Sequence, residues 1–461
     1  MKKAKILWVS DSPIIHTGFG RVSKTICEHL VNTGKYDVEA IGWFHRHSEV
    51  DSVSYRVHHT AVDEHKRLLQ NDKYAQGGTF NRIVEEFKPD LVISLGDKWM
   101  VEHIAESPHR SKFTWYGYTP IDGSPIPYTW EKTFNNMDKV IAYGEWGQRV
   151  IESSGGPSVD ATDFEYHGVD TNTFKQLPEE EVMKFKGELL RCKKPEDVFL
   201  VGQVSRNQPR KNLPATFKAF SIFMSGNYVK CDQCDNVTVD TYDEESRTYV
   251  HKANTCAICG SNKIDRSNEK PDAILYLHMA VKDCGWNLKD LQTTYGLESK
   301  ILFDPNIRVG SGITDRDLVR VYNVLDVKVL PTYGEGFGLP ILEAMACGTP
   351  VIATNYSAHT EWMEGLFIKP AAFSSEPNTN IRRAEVDINE YVRCIDSIYY
   401  STKLRDDISK LSIEKAKEMD WSNGIFKSWE DRIDKVVYPK GYSEEEATQA
   451  YNLDDVFGGE V

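Results

Sequence analysis

Short apolar runs alternate with helix-patterned stretches along this chain, in two successive series, and that alternation constrains the fold more than any other feature. The first series opens with an apolar run from Lys5 to Asp11. A Gly-containing turn, Thr17-Gly18-Phe19-Gly20-Arg21, follows, and then a helical stripe of Val22, Ile26, Leu30 and Val31 that Gly34 stops. Val38 to Trp43 reads as the next strand, completing a strand–turn–helix–strand unit. Ile83 to Phe87 reads as a helix end, and Asp90–Leu95, Phe113–Tyr118 and Val140–Tyr143 as further strands. The second series runs through Val198–Gly202, Ala273–Leu277, Lys300–Phe303, Val327–Leu330 and Pro350–Ala353. Strands alternating with helices predict parallel, doubly wound sheets. Two such series predict an α/β chain of two Rossmann-like domains facing a cleft, where ligands of such folds bind. No repeat of solenoid period is visible.

The Lys/Glu/Pro-rich stretch from Leu177 to Asp197 places the domain boundary. The expected division is 1–178, 197–420, a crossing helix at 421–440 and an acidic tail at 441–461. That tail holds six acids and no Lys or Arg, part of a net charge of −14 over 461 residues. Such a balance lacks the basic field of a general nucleic-acid binder. No run of about 18 apolar residues exists, so no membrane-spanning helix is expected. The first residues read as a strand rather than a secretory h-region. With nine Cys and no export signal, a reducing, cytoplasmic location is expected.

The polar stretch 228–270 breaks the alternation and reads as an insertion. It carries Cys231-x-x-Cys234 and Cys256-x-x-Cys259, 21 residues apart. Four thiolates in two such knuckles suit a closed, structural Zn²⁺ site, a small zinc ribbon. The insertion holds six Lys/Arg against eight Asp/Glu, which speaks against phosphate binding and for a supporting role. The remaining cysteines (27, 192, 284, 347 and 394) are scattered and suit core packing. Five of the thirteen histidines (45, 47, 58, 59 and 65) fall after the second strand, with basic and acidic neighbours. That stretch reads equally as a solvated loop or as a site for an anionic acceptor.

The densest chemical signal is Glu335-Gly336-Phe337-Gly338-Leu339-Pro340-Ile341-Leu342-Glu343, running on to Gly348-Thr349-Pro350. A strand gives way to a Gly-rich loop and then to a helix starting near Leu339. Backbone N–H groups at such a start favour a diphosphate, and glycines let a ligand approach the backbone closely. Glu335 and Glu343, eight positions apart, suit bidentate hydrogen bonds to vicinal hydroxyls. This string resembles the E-x7-E motif of the large retaining nucleotide-sugar glycosyltransferase family of the family 4 type, whose members have the two-Rossmann glycosyltransferase B (GT-B) fold. The resemblance implies that Glu335 contacts donor-sugar hydroxyls and Glu343 the ribose hydroxyls, with Gly336, Phe337, Gly338 and Leu339 lining the donor. Arg206 and Lys211, in Ser205-Arg206-Asn207-Gln208-Pro209-Arg210-Lys211, match the family's Arg and Lys five residues apart. Two cations facing a diphosphate stabilise the charge that grows on the leaving group. Arg210 stands beside them without an assigned role. Gly18 and Gly20 match a family glycine pair near the donor phosphate, and Asp122 stands where many relatives carry a sugar-touching His. His167-Gly168-Val169-Asp170 resembles the segment between domains, and Trp421 to Val437 the last helix, which crosses back onto the first domain.

The resemblance implies a retaining enzyme without a catalytic metal, using a nucleoside-diphosphate sugar. The acceptor stays open among saccharide, lipid-linked glycan, protein and small molecule. DNA bearing hydroxylated bases, or a non-catalytic scaffold of transferase fold, are the alternatives. Donor base, sugar and oligomeric state are not legible.

Overall fold

The computed structural model describes residues 3–44, 53–60, 62, 68–154, 161–243, 248–266, 271–304, 307–308 and 312–439. The chain divides into two compact units, residues 1–168 with 421–461, and residues 169–420. The expected boundary stretch lies inside the second unit, where Glu179–Leu190 forms a helix. Three of the five clustered histidines, His45, His47 and His65, and the acidic tail 441–461 lie outside the described residues.

The first unit is built on a seven-stranded parallel sheet. Its strands are β1 (Ala4–Asp11), β2 (Tyr36–Trp43), β3 (Arg56–His59), β4 (Leu91–Leu95), β5 (Thr114–Thr119), β6 (Lys139–Ala142) and β7 (Thr162–Phe164). They are ordered β3-β2-β1-β4-β5-β6-β7. The stretch carrying His58 and His59 is therefore an edge strand and not a loop; both residues lie in β3, and His58 is buried against Glu39 at 2.5 Å. The central strands β1 and β4 are buried on both faces, as near-continuous apolar runs of parallel sheets are. The helix Phe426–Val437 packs onto this unit. Its Trp429 is fully buried, with ring centroids 6.0 Å from Trp8 and 5.0 Å from Tyr118. The expected helix beginning at Trp421 is interrupted before that point: Gly424 has φ 102° and Asn423 is non-helical.

The second unit has a six-stranded parallel sheet, β15-β14-β8-β16-β17-β18. In chain order its first strand is β8 (Phe199–Val204). The insertion follows with β9 (Tyr228–Cys231), β10 (Val237–Val239), β11 (Thr241–Asp243), β12 (Thr248–His251) and β13 (Ile264–Asp265). The sheet resumes with β14 (Ala273–His278), β15 (Ile301–Phe303), β16 (Val327–Leu330), β17 (Val351–Thr354) and β18 (Leu366–Ile368). β19 (Pro370–Ser375) and β20 (Arg382–Val386) form a separate two-stranded antiparallel hairpin. The insertion is a separate antiparallel piece, β10-β9-β13 with β11-β12. It is anchored to the helix Ile388–Tyr400: Tyr228 donates to Asp396 at 2.7 Å, and the Val239 N–H to Asn389 at 2.8 Å. Within the insertion Arg266 makes a two-point pair with buried Asp240, both contacts at 2.8 Å. No helix among the described residues is long and apolar enough to cross a membrane.

Candidate active site

In the second unit the strand order reverses between β8 and β16, and the loops leaving the carboxyl ends of these two strands meet there. Open α/β sheets present their ligand crevice at this point. The Tyr333 N–H donates to the Arg210 carbonyl at 2.9 Å and the Thr332 hydroxyl to the same carbonyl at 3.1 Å, tying one loop to the other. The cations of the first loop therefore meet the acid of the second. Lys211 Nζ lies 2.5 Å from Glu335 Oε1, and Arg210 Nη1 lies 2.9 Å from Glu335 Oε2. Glu335 is 5% exposed. Burial alone would raise its pKa, but the Arg210 and Lys211 charges overcome that and hold the carboxyl far below the usual range. The Glu335 N–H is held by the Ser357 hydroxyl at 2.8 Å. Arg210, the cation without an assigned role, is thus a partner of the central carboxylate.

Gly336 to Leu339 form the turn into the helix Leu339–Ala346. Gly338, the residue before that helix, has φ 101°, which only glycine adopts readily. Phe337 is buried and stacks on Trp362 with centroids 4.7 Å apart, so its ring anchors the loop. Glu343 lies within the helix, 4% exposed, and accepts a 2.7 Å bond from the Tyr322 hydroxyl.

Arg206 stands apart from Glu335. It makes a two-point pair with Asp283 on the loop after β14, Nε to Oδ2 at 3.0 Å and Nη2 to Oδ1 at 2.8 Å, while its own side chain stays 55% exposed. Buried Asn207 stitches the same two loops, donating to the Trp286 carbonyl at 2.8 Å and accepting from the Trp286 N–H at 2.9 Å. Asp283, Tyr322 and Ser357 had no marker in the sequence; each reaches the site from an element distant along the chain.

In the first unit the order reverses between β1 and β4, and Gly18 and Gly20 begin the helix Gly18–Asn32 directly after β1. The Thr17 hydroxyl caps this helix by accepting from the Gly20 N–H at 3.0 Å and donates to Asp11 at 2.7 Å. A turn requiring positive φ is the simplest reason for a glycine at position 20; the structure gives another. Gly20 is not among the positive-φ residues, but a Cβ there would lie 2.6 Å from the Ile15 carbonyl and 2.7 Å from that of Ser12. Asp122 lies three residues past β5, half-buried. His167 is buried in this unit with Nδ1 2.7 Å from the Tyr118 hydroxyl.

The four insertion cysteines converge. The Sγ atoms of Cys231, Cys234, Cys256 and Cys259 all lie within 4.8 Å of one another. Cys231 and Cys259 are 3.7 Å apart, and Cys234 and Cys256 3.5 Å. A tetrahedron of Zn–S bonds of about 2.3 Å has S–S edges of roughly 3.8 Å, so the donor set fits a four-coordinate thiolate site. The Gln233 and Ile258 N–H groups point at Cys231 and Cys256 sulfur at 3.4 Å. The Asn236 amide, at 3.3 Å, lowers the Cys234 pKa to about 6.

Residues 285–379 match the family model of group 1 glycosyl transferases. The D-inositol 3-phosphate glycosyltransferase of Paenarthrobacter aurescens (strain TC1) is 25% identical over 127 residues, 27% of this chain and 28% of that one. O-antigen chain mannosyltransferase B of Escherichia coli is 30% identical over 117 residues, 25% of this chain and 27% of that one. The chain thus matches about a quarter of the length of these relatives. Likeness to solved structures extends much further. Sucrose-phosphate synthase from Thermosynechococcus elongatus aligns with a TM-score of 0.66 at 15% identity, over 94% of this chain and 99% of that one. Anabaena HepE, solved with UDP and glucose, aligns at 0.65 and 17%, over 94% and 100%. The fold is GT-B-like, with parallel α/β sheets and glycosyltransferases as its structural neighbours. The segment holding Glu335 and Glu343 is of the group 1 glycosyl transferase type.

Proposed function

We propose that the chain is a retaining glycosyltransferase that moves a sugar from a nucleoside-diphosphate sugar to a hydroxyl acceptor, with no catalytic metal. The observation that carries this reading is the cluster of Arg210, Lys211 and Glu335 at the strand-order reversal of the second unit, beside the start of the helix Leu339–Ala346. Cations, a buried carboxylate and a helix start meet where a sugar diphosphate needs all three. In this reading Lys211 and Arg206 neutralise the departing diphosphate. Glu335 binds donor-sugar hydroxyls, Glu343 the ribose hydroxyls, and the amides of Phe337, Gly338 and Leu339 receive phosphate oxygens. Gly18 and Gly20 are read as donor-binding, and Asp122 as a residue that contacts a sugar hydroxyl. The bond from the anomeric carbon to the diphosphate oxygen breaks, the bond to the acceptor oxygen forms on the same face, and the acceptor proton leaves on the diphosphate. The protein's share is positioning and charge stabilisation.

HepE is solved with UDP-glucose as well, which supports a uridine diphosphate sugar as the first donor to test. The Cys231–Cys234–Cys256–Cys259 cluster is read as a structural Zn²⁺ site, and the anchoring of its ribbon to the helix Ile388–Tyr400 supports a stapling role over nucleic-acid binding. Two C-x-x-C pairs whose sulfurs converge as a metal-ligand set suit a reducing, cytoplasmic setting. The test is turnover of a panel of UDP-, GDP- and ADP-sugars with candidate acceptors, following nucleoside diphosphate release and product configuration by proton NMR. Release with the donor's anomeric configuration kept is expected. Inversion overturns the retaining mechanism, and no release with any donor overturns the reading.

A further inference from the structure

The most anomalous side chain of the second unit is Lys328, in the middle of β16. It is 0% exposed, and its Nζ has no hydrogen-bond partner. Val327 and Val329 belong to the main core cluster, so strand alternation turns Lys328 to the opposite face of the sheet. Its neighbours across the ladder are Gly202 and Val351. The charges that act on it are those of the site: Lys211 from the loop after β8, Glu335 from the loop after β16, and Glu343 from the helix Leu339–Ala346. Its own charge acts in turn on buried His359, in the turn Ala358–Glu361. The Tyr322 hydroxyl, from the helix Asp315–Val324, is engaged on Glu343. A fully buried ammonium with no hydrogen bond is costly unless nearby charge repays it, and lysine answers by giving up its proton.

We propose that Lys328 is a positioning residue of the donor site that takes up a proton when a sugar diphosphate binds at Lys211, restoring positive charge behind Glu335 and Glu343. This rests on the donor reading above. Without ligand, Glu335 is already offset by Arg210 and Lys211, and burial together with the Lys211 charge leaves Lys328 near the balance point, its pKa lowered to about 7. A bound diphosphate adds negative charge on the Lys211 side, and the proton comes from solvent. The bound-state pKa is then higher than the free one. Binding is accordingly tightest below about pH 7 and weakens as pH rises through that value, by at most about tenfold per pH unit for one linked proton. His359 and His278 are depressed to about 4 and stay neutral throughout this range.

The experiment is calorimetric titration of the full chain with UDP-glucose and GDP-mannose, whose diphosphate diesters do not titrate between pH 6.5 and 8.5. Titrations at pH 7.5 in two buffers of different ionisation enthalpy read proton uptake directly. Wild type is expected to take up a fraction of a proton per donor bound, and its Kd to rise between pH 6.5 and 8.5. K328M is expected to bind with no uptake and a flat Kd, meeting the wild-type curve at the alkaline end. Binding without uptake by wild type overturns the role of Lys328 even if K328M does not fold, as does a K328M curve with the wild-type slope. Absence of binding by wild type to either sugar nucleotide overturns the donor reading, and this inference with it.

Discussion

Glu335 is held by two cations from one loop, and this decides what its loss does. E335A removes the buried carboxylate that pairs Arg210 and Lys211. Removing one member of a buried ion pair costs about 3–5 kcal/mol, which denaturant unfolding of E335A measures. Transfer is expected to fall by at least about a hundredfold in the same variant, and in K211M, since both remove charge aimed at the reacting centre. R206A removes the two-point partner of the Asp283 carboxylate, whose side chain is 5% exposed, so it is expected to lose some stability to denaturant as well as turnover. Glu335, Glu343 and Lys211 were legible in sequence because motif and spacing carry them. The pairings were not. Arg210 meets Glu335 across 125 residues of chain and Arg206 meets Asp283 across 77, and only the strand order brings those loops together.

At the scale of elements, ten of the thirteen strands of the two parallel sheets were legible to within about two residues, because a parallel strand buried on both faces is an unbroken apolar run; the short edge strands β3, β7 and β18 were not. β3 was hidden since Arg56-Val57-His58-His59 has one apolar residue, and its place at the sheet edge needs no more. The helix Glu179–Leu190 was hidden in a stretch whose charge reads as a linker; a single buried Lys186, paired with Asp326 at 2.8 Å, fixes it instead of an apolar stripe. The helix Phe426–Val437 hangs on Trp429. W429A is expected to cost the first unit about 3–5 kcal/mol, read as a lower thermal midpoint. The cysteine insertion follows different rules, being too small to hold itself by apolar burial. About one equivalent of zinc per chain is expected by elemental analysis, and its loss in C231S should loosen residues 228–266 to proteolysis while the parallel sheet survives.

Across the whole molecule, the acid side is where stability should fail. Four histidines have depressed pKa values, first through desolvation: buried His167 to about 3, half-buried His103 and buried His278 and His359 to about 4. Unfolded, each takes up its proton near pH 6.5, so the unfolded state binds more protons below that value. Their contribution is full above about pH 6.5 and is lost as pH falls toward 4. Unfolding midpoints are expected to drop steadily below pH 6.5, with both units affected, since His103 and His167 lie in the first and His278 and His359 in the second; from pH 7 to 8 the second unit is expected to gain stability, because Lys328, lowered to about 7 when folded, keeps its proton when unfolded. The central claim, that the strand-order reversal of the second unit holds a sugar diphosphate, is tested most directly by the affinity of UDP-glucose, GDP-mannose and ADP-glucose for wild type and K211M under one set of conditions. The account predicts that at least one binds wild type and that K211M weakens it at least about tenfold. Equal binding to both proteins, or binding of none, would contradict it.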